Sequence, residues 1–285
     1  MARRDHAYAG NAPGGLFVDE TCIDCGTCYT HAPDVFRDAG SHSIVARQPA
    51  GEPERARAHE ALVACPTASI GSDDREAARG AAERFPLSFA EEVFWCGYTA
   101  EESFGAWSWL ISRAGGNVLV DSPRAASPLL RRLEDLGGVS LMVLSHRDDV
   151  ADHERIHARF GCPRLMHQDD GVPGMERLIS GPDPVALAPD LLFIPTPGHT
   201  RGSSCLLYRE TFLFTGDHLW YEPALGRLHA SRSVNWWRWD EQLRSLERLL
   251  AYDFRWVLPG HGAPWGAPSA AAMRRALENT ISALS

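Results

Sequence analysis

Apolar runs alternate with helical patterns over the C-terminal two thirds of the chain. Runs of Val, Leu, Ile and Phe bounded by Gly, Pro or Asp predict strands at GNVLVDSP, VSLMVLSH, PRLMHQ, DLLFIPTPG, SCLLYRE, TFLFTGD and FRWVLPG, in that order. Apolar residues at helical spacing predict helices at PLLRRLEDLG, DHERIHARFG, DEQLRSLERLLAY and SAAAMRRALENTISAL. The pattern predicts a mixed α/β domain with central strands, some of them joined as hairpins.

Local signals predict where these helices begin and end. Gly137 and Gly161 follow two helical patterns, and glycine at such a position readily takes the left-handed conformation that ends a helix. Asp240 is predicted to be the N-cap of the helix after NWWRW. The polar, Ala-rich residues 72–86 predict a helical linker or an edge helix. We therefore predict an N-terminal domain at residues 1–80 and a second domain at residues 81–285.

Composition and charge exclude several classes of function. The chain has 285 residues, a net charge of −9 and no basic stripe, so we expect neither a nucleic-acid partner nor a membrane partner. All 28 basic residues are arginine, which excludes a lysine Schiff base and a Walker-type phosphate lysine. No apolar run has the length of a membrane span, and no apolar segment follows Arg3 and Arg4. The expected location is the cytoplasm.

Four of the seven cysteines form one pattern. Cys22, Cys25 and Cys28 follow a C-x2-C-x2-C spacing, and Cys65 stands before Pro66. Three clustered thiolates and one distant thiolate before proline are the ligands that a single [4Fe–4S] cluster needs. A zinc site on the same cysteines is the alternative, although zinc more often uses paired C-x2-C units. An odd number of cysteines in this arrangement argues against a disulfide framework.

The remaining cysteines, Cys96, Cys162 and Cys205, are predicted to be small buried apolar residues. Around the cluster motif, residues 16–72 resemble a single-cluster bacterial ferredoxin, with PDVF, SIVARQ and AHEALVACPTASI in the expected order. The resemblance implies a ferredoxin-like module with a [4Fe–4S] cofactor and a possible redox partner at this domain.

Several predicted strands end in a residue that can bind a metal. These residues are His146 after VLS, His199 in PTPGHT, Asp217 in FTGD and His261 in LPGHG. One such histidine is usually structural, but four ligand-type residues at strand ends rarely arise by chance. Imidazole together with carboxylate is the donor set that zinc or iron prefers.

The segments SHRDDVADH, PGHTRGS, FTGDHL and LPGHG, across roughly residues 90–265, resemble the metallo-β-lactamase superfamily. The resemblance implies a four-layer αββα sandwich that binds one or two metals at one edge of its sheets. It also implies that Asp217 bridges the two metals, and that His199 and His261 are ligands. Together, the two resemblances predict an α+β or α/β chain: a ferredoxin-like module followed by this sandwich.

The first motif departs from the family pattern His-x-His-x-Asp-His. Asp148 occupies the second histidine position, and two extra residues precede the pair Asp152-His153. By resemblance we assign His146, Asp148 and His199 to one divalent metal (Zn or Fe), Asp152, His153 and His261 to a second, and Asp217 to both. Asp152 and Asp217 are the predicted catalytic residues. Asp149 and His157 are reserve ligands, and helix N-termini also favour acidic residues for electrostatic reasons alone.

Three functions remain open on the sequence. The fold family favours metal-dependent hydrolysis of a small ester, thioester or related substrate, with a structural or regulatory cluster. Asp148 is a harder ligand than imidazole and favours iron, which points to a di-iron redox enzyme that takes electrons from the cluster. The third possibility is a non-catalytic sensor that carries the cluster.

Other segments carry weaker signals. Trp236, Trp237 and Trp239 are predicted to line a substrate pocket or to anchor the following helix, with at least two of the three in the core. His218 is expected to lie beside the metal ligands without binding the metal. Residues 167–170, HQDD, predict a solvated loop.

Overall fold

Short apolar runs form strands of two to five residues throughout residues 2–285, the part of the chain that a computed structural model describes. The chain divides into two compact units, which are described separately. One unit contains the chain up to Ser140 together with Ala151–Gly161, and the other contains Leu141–Val150 and Cys162–Ser285. Within residues 2–285, no helix combines the length and the apolar character that a membrane crossing requires.

The first unit begins with a small module of short strands and three helices. Its elements are β1 (Leu16–Val18), α1 (Thr27–His31), β2 (Phe36–Asp38), β3 (Ser43–Val45), α2 (Glu52–Ala64), β4 (Ile70–Ser72) and α3 (Arg75–Arg84). Strand β1 pairs antiparallel with β4, and β2 pairs antiparallel with β3. The apolar side chains of both pairs and of α2 form one core, in which Val35 and Phe36 are fully buried.

Four antiparallel strands and two helices complete the first unit. They are β5 (Leu87–Ala90), β6 (Val93–Trp95), β7 (Trp109–Ile111), β8 (Val118–Val120), α4 (Ser127–Asp135) and α5 (His153–Phe160). Strand β5 pairs antiparallel with β6, β6 with β7, and β7 with β8. Trp95 and Trp107 stack with their ring centroids 4.2 Å apart, so aromatic side chains fill much of this part of the core.

The second unit contains eleven strands and two helices within its described residues. They are β9 (Leu141–Val143), β10 (Arg164–His167), β11 (Arg177–Ile179), β12 (Val185–Ala188), β13 (Leu191–Pro195), β14 (Ser204–Tyr208), β15 (Phe212–Gly216), β16 (Trp220–Glu222), β17 (Arg227–His229), α6 (Trp239–Leu249), β18 (Trp256–Pro259), β19 (Trp265–Gly266) and α7 (Ala270–Leu284). Strands β9, β10 and β11 are parallel neighbours. Six strands form a second sheet in the order β12-β13-β14-β15-β18-β19.

The six-stranded sheet positions the polar residues that matter below. Every residue of β14 and β15 is buried, as expected for central strands. Strand β18 lies parallel to β15, with Phe214 opposite Leu258 and Gly216 opposite Pro259. The C-terminal ends of these two strands therefore meet at one edge of the sheet. Helices α6 and α7 pack against the same core through Leu246, Leu249, Met273 and Leu277.

The structure confirms most elements expected from the pattern. The predicted hairpins exist, because β13, β14 and β15 pair antiparallel in chain order. Gly161 ends α5 in the left-handed conformation, with its N–H bonded to the carbonyl of His157. The N-cap prediction for Asp240 is wrong. The N-cap is Arg238, two residues earlier, so helix α6 begins at Trp239, and the Asp240 carboxylate pairs with Arg238 and Arg244 instead of capping the helix.

The division into domains at residues 80 and 81 stays a prediction. Contacts group β5 to β8 with the N-terminal module. Contacts alone do not fix a domain boundary, because neighbouring domains can share a packed surface.

Truncating a core side chain of α6 tests the packing of the second unit. Leu246 is fully buried and Leu225 is 50% exposed. We expect Leu246→Ala to lower the free energy of unfolding by about 2–5 kcal/mol, because the substitution leaves a cavity. The same substitution at Leu225 is expected to cost less than about 0.5 kcal/mol. Urea unfolding followed by circular dichroism measures both, and equal costs would contradict the assigned burial.

Candidate metal centres

The four cysteines of the ferredoxin-like motif line one cavity. Cys22 and Cys25 precede α1, Cys28 lies within it, and Cys65 follows the last residue of α2. Apolar side chains of Val18, Ile23, Pro66 and Ile70 complete the wall. The two helices therefore bring the distant Cys65 to the three clustered cysteines.

The spacing of the sulfur atoms separates the two metals considered for this motif. A single zinc with four thiolate ligands at about 2.3 Å holds its sulfurs about 3.8 Å apart. Within residues 2–285, no three cysteine sulfurs lie within 4.8 Å of one another. The cysteines share a cavity but are too far apart for one zinc ion. This arrangement fits the larger iron–sulfur cluster.

Backbone N–H groups are directed at the cysteine sulfurs. Asp24 and Ser43 each donate to Cys22 Sγ at 3.4 Å, and Ser69 donates to Cys65 Sγ at 3.3 Å. Such bonds stabilise negative charge on the ligand sulfurs and influence the reduction potential of a cluster. Burial raises the pKa of Cys25 to about 11, so its thiolate forms only when a metal displaces the proton.

Residues 97–106 contact both cysteine-bearing segments within the first unit. The hydroxyl of Thr27 donates to the carbonyl of Gly105 at 3.0 Å, and Thr99 donates to the carbonyl of Ala64 at 2.6 Å. Gly105 has φ +85°, and a Cβ atom there would lie 2.7 Å from Cys25 Sγ. Glycine is required because the backbone passes directly over this cysteine.

The cysteines outside the motif have the predicted environment. Cys96, Cys162 and Cys205 are each at most 2% exposed.

The metal-ligand candidates of the second unit follow the ends of its strands. Asp217 comes directly after β15, and His261 comes two residues after β18. Because these strands are parallel neighbours, both residues lie at the same sheet edge. Ser145, which precedes His146, accepts a hydrogen bond from Ser204 N at 2.9 Å. This bond ties the segment after β9 to the start of β14.

Two imidazole nitrogens lie close to the same two carboxylate oxygens. The Nε2 atom of His146 lies 4.0 Å from Asp148 Oδ2 and 3.8 Å from Asp217 Oδ2. The Nε2 atom of His199 lies at the same two distances from the same two oxygens. Two imidazoles and two carboxylates thus face one another without direct hydrogen bonds between them, as the ligands of a metal ion do.

The burial of these residues fits neutral imidazole ligands. The side chains of His146 and His199 are at most 2% exposed, whereas that of Asp148 is 48% exposed. His199 Nε2 is buried and has no hydrogen-bond partner among the described residues. Burial, helped by the nearby His146, lowers the pKa of His199 to about 4. The ring is therefore neutral at physiological pH, the form in which imidazole binds a metal.

Asp149 lies beside Asp217 on the other side of the site. His146, Asp149 and Asp217 have ligand atoms within 4.8 Å of one another. A Cβ atom on Gly260 would lie 2.4 Å from Asp149 Oδ2 and 2.9 Å from Asp217 Oδ1, so this glycine allows both carboxylates to approach the backbone. The Nδ1 atom of His261 lies 2.7 Å and 2.9 Å from the two oxygens of Asp217.

Asp152 and His153 are outside both of these ligand groups. Asp152 Oδ2 accepts hydrogen bonds from Ala125 N at 2.8 Å and from Arg155 at 2.9 Å. His153 is the first residue of α5 and is buried. The two extra residues of this motif place the Asp-His pair at the start of a helix, so the structure brings Asp149 rather than Asp152 to Asp217. The ligand roles assigned to Asp152 and His153 stay predictions.

Sequence reasoning missed one buried carboxylate near the site. The prediction of a solvated loop at residues 167–170 is wrong for Asp170, which is 3% exposed. The Asp170 carboxylate accepts hydrogen bonds from the backbone N–H groups of Arg147 and Gly202, which lie near His146 and His199 in the sequence. Nothing in the local pattern marks Asp170, because its partners are distant in sequence. His218 lies beside Asp217 as expected, and burial lowers its pKa to about 3.

Trp236 is the aromatic residue next to the ligands. The Trp236 ring centroid lies 6.4 Å from that of His199, and the backbone N–H of Trp236 donates to the backbone carbonyl of His199 at 2.8 Å. The side chain is 61% exposed, and that of Trp237 is 40% exposed. The prediction that at least two of the three tryptophans lie in the core is wrong: Trp236 and Trp237 are surface residues, and only Trp239 of the three packs against the core of α6.

Comparison with known proteins agrees with both parts of this description. Residues 18–72 match the family described as the 4Fe-4S single cluster domain of Ferredoxin I. The solved structure of the DIM-1 metallo-beta-lactamase resembles 67% of this chain and 95% of its own, with a TM-score of 0.51 and 14% identity. The structure of VMB-1 resembles 70% of this chain and 97% of its own, with a TM-score of 0.53 and 15% identity. At such identity, the likeness shows the fold alone.

Two relatives were found by sequence. An uncharacterized protein of Mycobacterium leprae (strain TN) is 28% identical over 188 residues, which cover 54% of this chain and 84% of the relative. A hydroxyacylglutathione hydrolase of Klebsiella pneumoniae is 28% identical over 130 residues, or 42% of this chain. The chain spans about half the length of the Klebsiella protein (49%).

Replacing one motif cysteine tests the cluster site. We expect wild-type protein, purified without oxygen, to contain about four irons and four acid-labile sulfides. Cys65→Ser is expected to lose most of the iron and sulfide, because it removes the one motif thiol that follows α2 and leaves the cluster with three cysteine ligands. Cys96→Ser is the matched control, since Cys96 is buried outside the cavity. Equal iron and sulfide loss in both variants would contradict the assignment.

Proposed function

We propose that this chain, in which a single-cluster 4Fe-4S ferredoxin domain precedes a metallo-β-lactamase fold, is a metal-dependent hydrolase of a small ester or thioester. The observation that carries the proposal is the approach of the Nε2 atoms of His146 and His199 to within 4.0 Å of the same two carboxylates, those of Asp148 and Asp217. The Asp148 side chain is 48% exposed, so in this proposal the substrate enters past Asp148.

The donor atoms fit a divalent metal at this point. Two neutral imidazoles and two carboxylates suit zinc or iron, and the carboxylates balance the charge of the ion. Burial opposes ionisation of Asp217, but nearby imidazoles, above all His261, hold the pKa of Asp217 below its usual range. Asp217 is therefore an anionic ligand at neutral pH.

A second metal is proposed next to the first, with Asp149, Asp217 and His261 as its ligands. Asp149 and Asp217 both touch Gly260, and His261 contacts both oxygens of Asp217. Asp149 takes the place that the motif first indicated for Asp152, because the Asp152 carboxylate is already held by Ala125 and Arg155. Asp217 then serves both metals.

A metal pair of this kind lowers the pKa of bound water and polarises a carbonyl oxygen. The residues of this chain hold the pair and move the proton. Asp149 Oδ2 is the proposed acceptor of the proton that the attacking water loses, because Asp149 lies beside Asp217 and is 1% exposed. Trp236 offers an apolar surface next to His199 for the part of the substrate that does not react.

The choice of ester or thioester as the first substrate class has two supports. The Klebsiella relative is named a hydroxyacylglutathione hydrolase. Trp236 is exposed beside His199, which suits an acyl group with apolar character. In this proposal the cluster is structural or regulatory, and residues 97–106 connect its cysteines to the strand that follows them.

A redox function is the second candidate, and Asp148 is the observation that favours it. A carboxylate in place of an imidazole favours iron over zinc, and a low-potential cluster in the same chain supplies electrons. The substrate is then a small molecule such as dioxygen, nitric oxide or a sulfur species, and an external redox partner reduces the cluster.

Metal and acid-labile sulfide analysis of anaerobically purified protein decides between these functions. About four irons with sulfide and about two zincs would support the hydrolase. About six irons with the same sulfide would place the redox function first. About four irons and no further metal would contradict the metal centre and leave a sensor that carries the cluster.

Two neighbouring carboxylates separate the catalytic assignments. With the metals restored, Asp149→Asn is expected to reduce kcat/KM for an S-acyl thioester by about 100-fold or more, because the proton acceptor is lost. Asp152→Asn is expected to stay within about fivefold of wild type, since an asparagine oxygen still accepts from Ala125 N. Loss of activity in Asp152→Asn alone would restore the assignment made from the motif.

A further inference from the structure

Asp170 is a buried carboxylate outside the proposed ligand set. It ends a short 3-10 turn, Gln168–Asp170, directly after β10. The residue is 3% exposed. A carboxylate so buried is costly unless its oxygens are hydrogen-bonded. The identity of its partners therefore indicates its purpose.

The partners of Asp170 belong to the two segments that carry the metal ligands. Asp170 Oδ1 accepts from Gly202 N at 2.9 Å. Asp170 Oδ2 accepts a very short hydrogen bond from Thr200 Oγ1 and a longer one, at 3.3 Å, from Arg147 N. Thr200 follows the ligand His199. Arg147 stands between His146 and Asp148.

The backbone of the segment after His199 lies directly against Asp170 at Gly202. A Cβ atom on Gly202 would lie 2.6 Å from the backbone nitrogen of Asp170, so only glycine fits at this position. The hydroxyl of Ser203 bonds to Thr200 N at 2.9 Å and to the Thr200 hydroxyl at 2.6 Å. The segment is thus folded around Thr200, and Asp170 receives the Thr200 hydroxyl.

We propose that Asp170 is a positioning residue that holds His199 and the pair His146–Asp148 at metal-binding distance before the metal arrives. This inference rests on the proposed metal centre. One carboxylate connects the two segments. The two imidazole Nε2 atoms that these segments carry each lie 4.0 Å from Asp148 Oδ2. Without Asp170, the metal itself must order both segments, and its binding weakens.

An asparagine at this position cannot make the same bonds. If its oxygen accepts from Gly202 N, its NH2 group faces the N–H of Arg147; if it is reversed, its NH2 group faces the N–H of Gly202. A hydroxyl can rotate to accept a hydrogen bond, but a backbone N–H cannot. Either orientation of the asparagine amide in Asp170→Asn therefore leaves a backbone donor of one ligand segment without its acceptor.

The adjacent Asp169 provides a matched control. Its side chain is 32% exposed and pairs at 3.3 Å with Arg201, which is 64% exposed. Asp169→Asn makes the same chemical change one residue away, on a surface ion pair that contributes little. Thr200 supplies a second, independent test, because Thr200→Val removes the hydroxyl and Thr200→Ser keeps it.

The experiment measures Zn²⁺ affinity of the full-length, cluster-loaded protein by competition with a chromophoric chelator. Asp170→Asn and Thr200→Val are each expected to weaken Zn²⁺ binding about 10- to 100-fold, the range seen for residues that orient metal ligands. Asp169→Asn and Thr200→Ser are expected to stay within about threefold of wild type. If Thr200→Val weakens Zn²⁺ binding and Thr200→Ser does not, the hydroxyl group itself is responsible, because general destabilisation would not follow the presence of the hydroxyl.

Three results would overturn the proposal, and they are distinguishable. Wild-type affinity in both Asp170→Asn and Thr200→Val would show that the network does not position the ligands. Equal weakening in Asp169→Asn would show a general effect of charge or stability. Failure of wild-type protein to bind Zn²⁺ would refute the metal centre itself, and this inference with it.

Discussion

The second unit depends on holding carboxylates and imidazoles close together in a buried place. Asp149 and Asp217 both approach the backbone of Gly260, and His146 and His199 lie behind them with almost no exposure. The carboxylates of Asp149 and Asp217, whose ligand atoms lie within 4.8 Å of one another, repel each other, and burial strengthens the repulsion. A divalent cation bound between the two carboxylates would remove this repulsion. The backbone around the site, with its close-packed glycine and its parallel strands β15 and β18, provides room for such an arrangement.

The cluster module meets a different constraint with similar means. Its thiols must stand around a cluster larger than one metal ion, so they line a cavity instead of converging on a point. Backbone N–H groups satisfy Cys22 and Cys65, and residues 97–106 contact both cysteine segments. Loss of the cluster therefore has a direct route to affect residues beyond the module, whether its role is structural, regulatory or electron transfer.

Asp148 connects the structure to the choice of chemistry. It replaces an imidazole by a carboxylate that is half-exposed, while the two histidine ligands remain buried. The change makes the site more anionic and harder, and both properties favour iron more than a third imidazole at this position would. Hydrolysis and redox chemistry are the two functions proposed above, and Asp148 is the observation that favours the second. The identity of the metal is thus the property that links the site to its function.

The sequence by itself determined most of the elements and the residue types that gather at the candidate sites. Cys22, Cys25, Cys28 and Cys65 could be grouped because their spacing and the following proline are local signals. His199, Asp217 and His261 could be identified because each stands at the end of an apolar run beside glycine. The hairpins and helices followed from periodicity, since burial of one face imposes a period on the residues.

Only the tertiary structure decided which acidic residues reach the site. Asp148, Asp149 and Asp152 are equivalent in local pattern, yet Asp149 meets Asp217 while Asp152 is held by Ala125 and Arg155. Asp170 was invisible because its partners lie 23 to 32 residues away. In a short irregular segment, neighbouring residues direct their side chains differently according to the local backbone conformation. The hydrophobic periodicity of the sequence does not show that conformation. Such contacts are fixed by long-range packing, which the sequence encodes only through the whole fold.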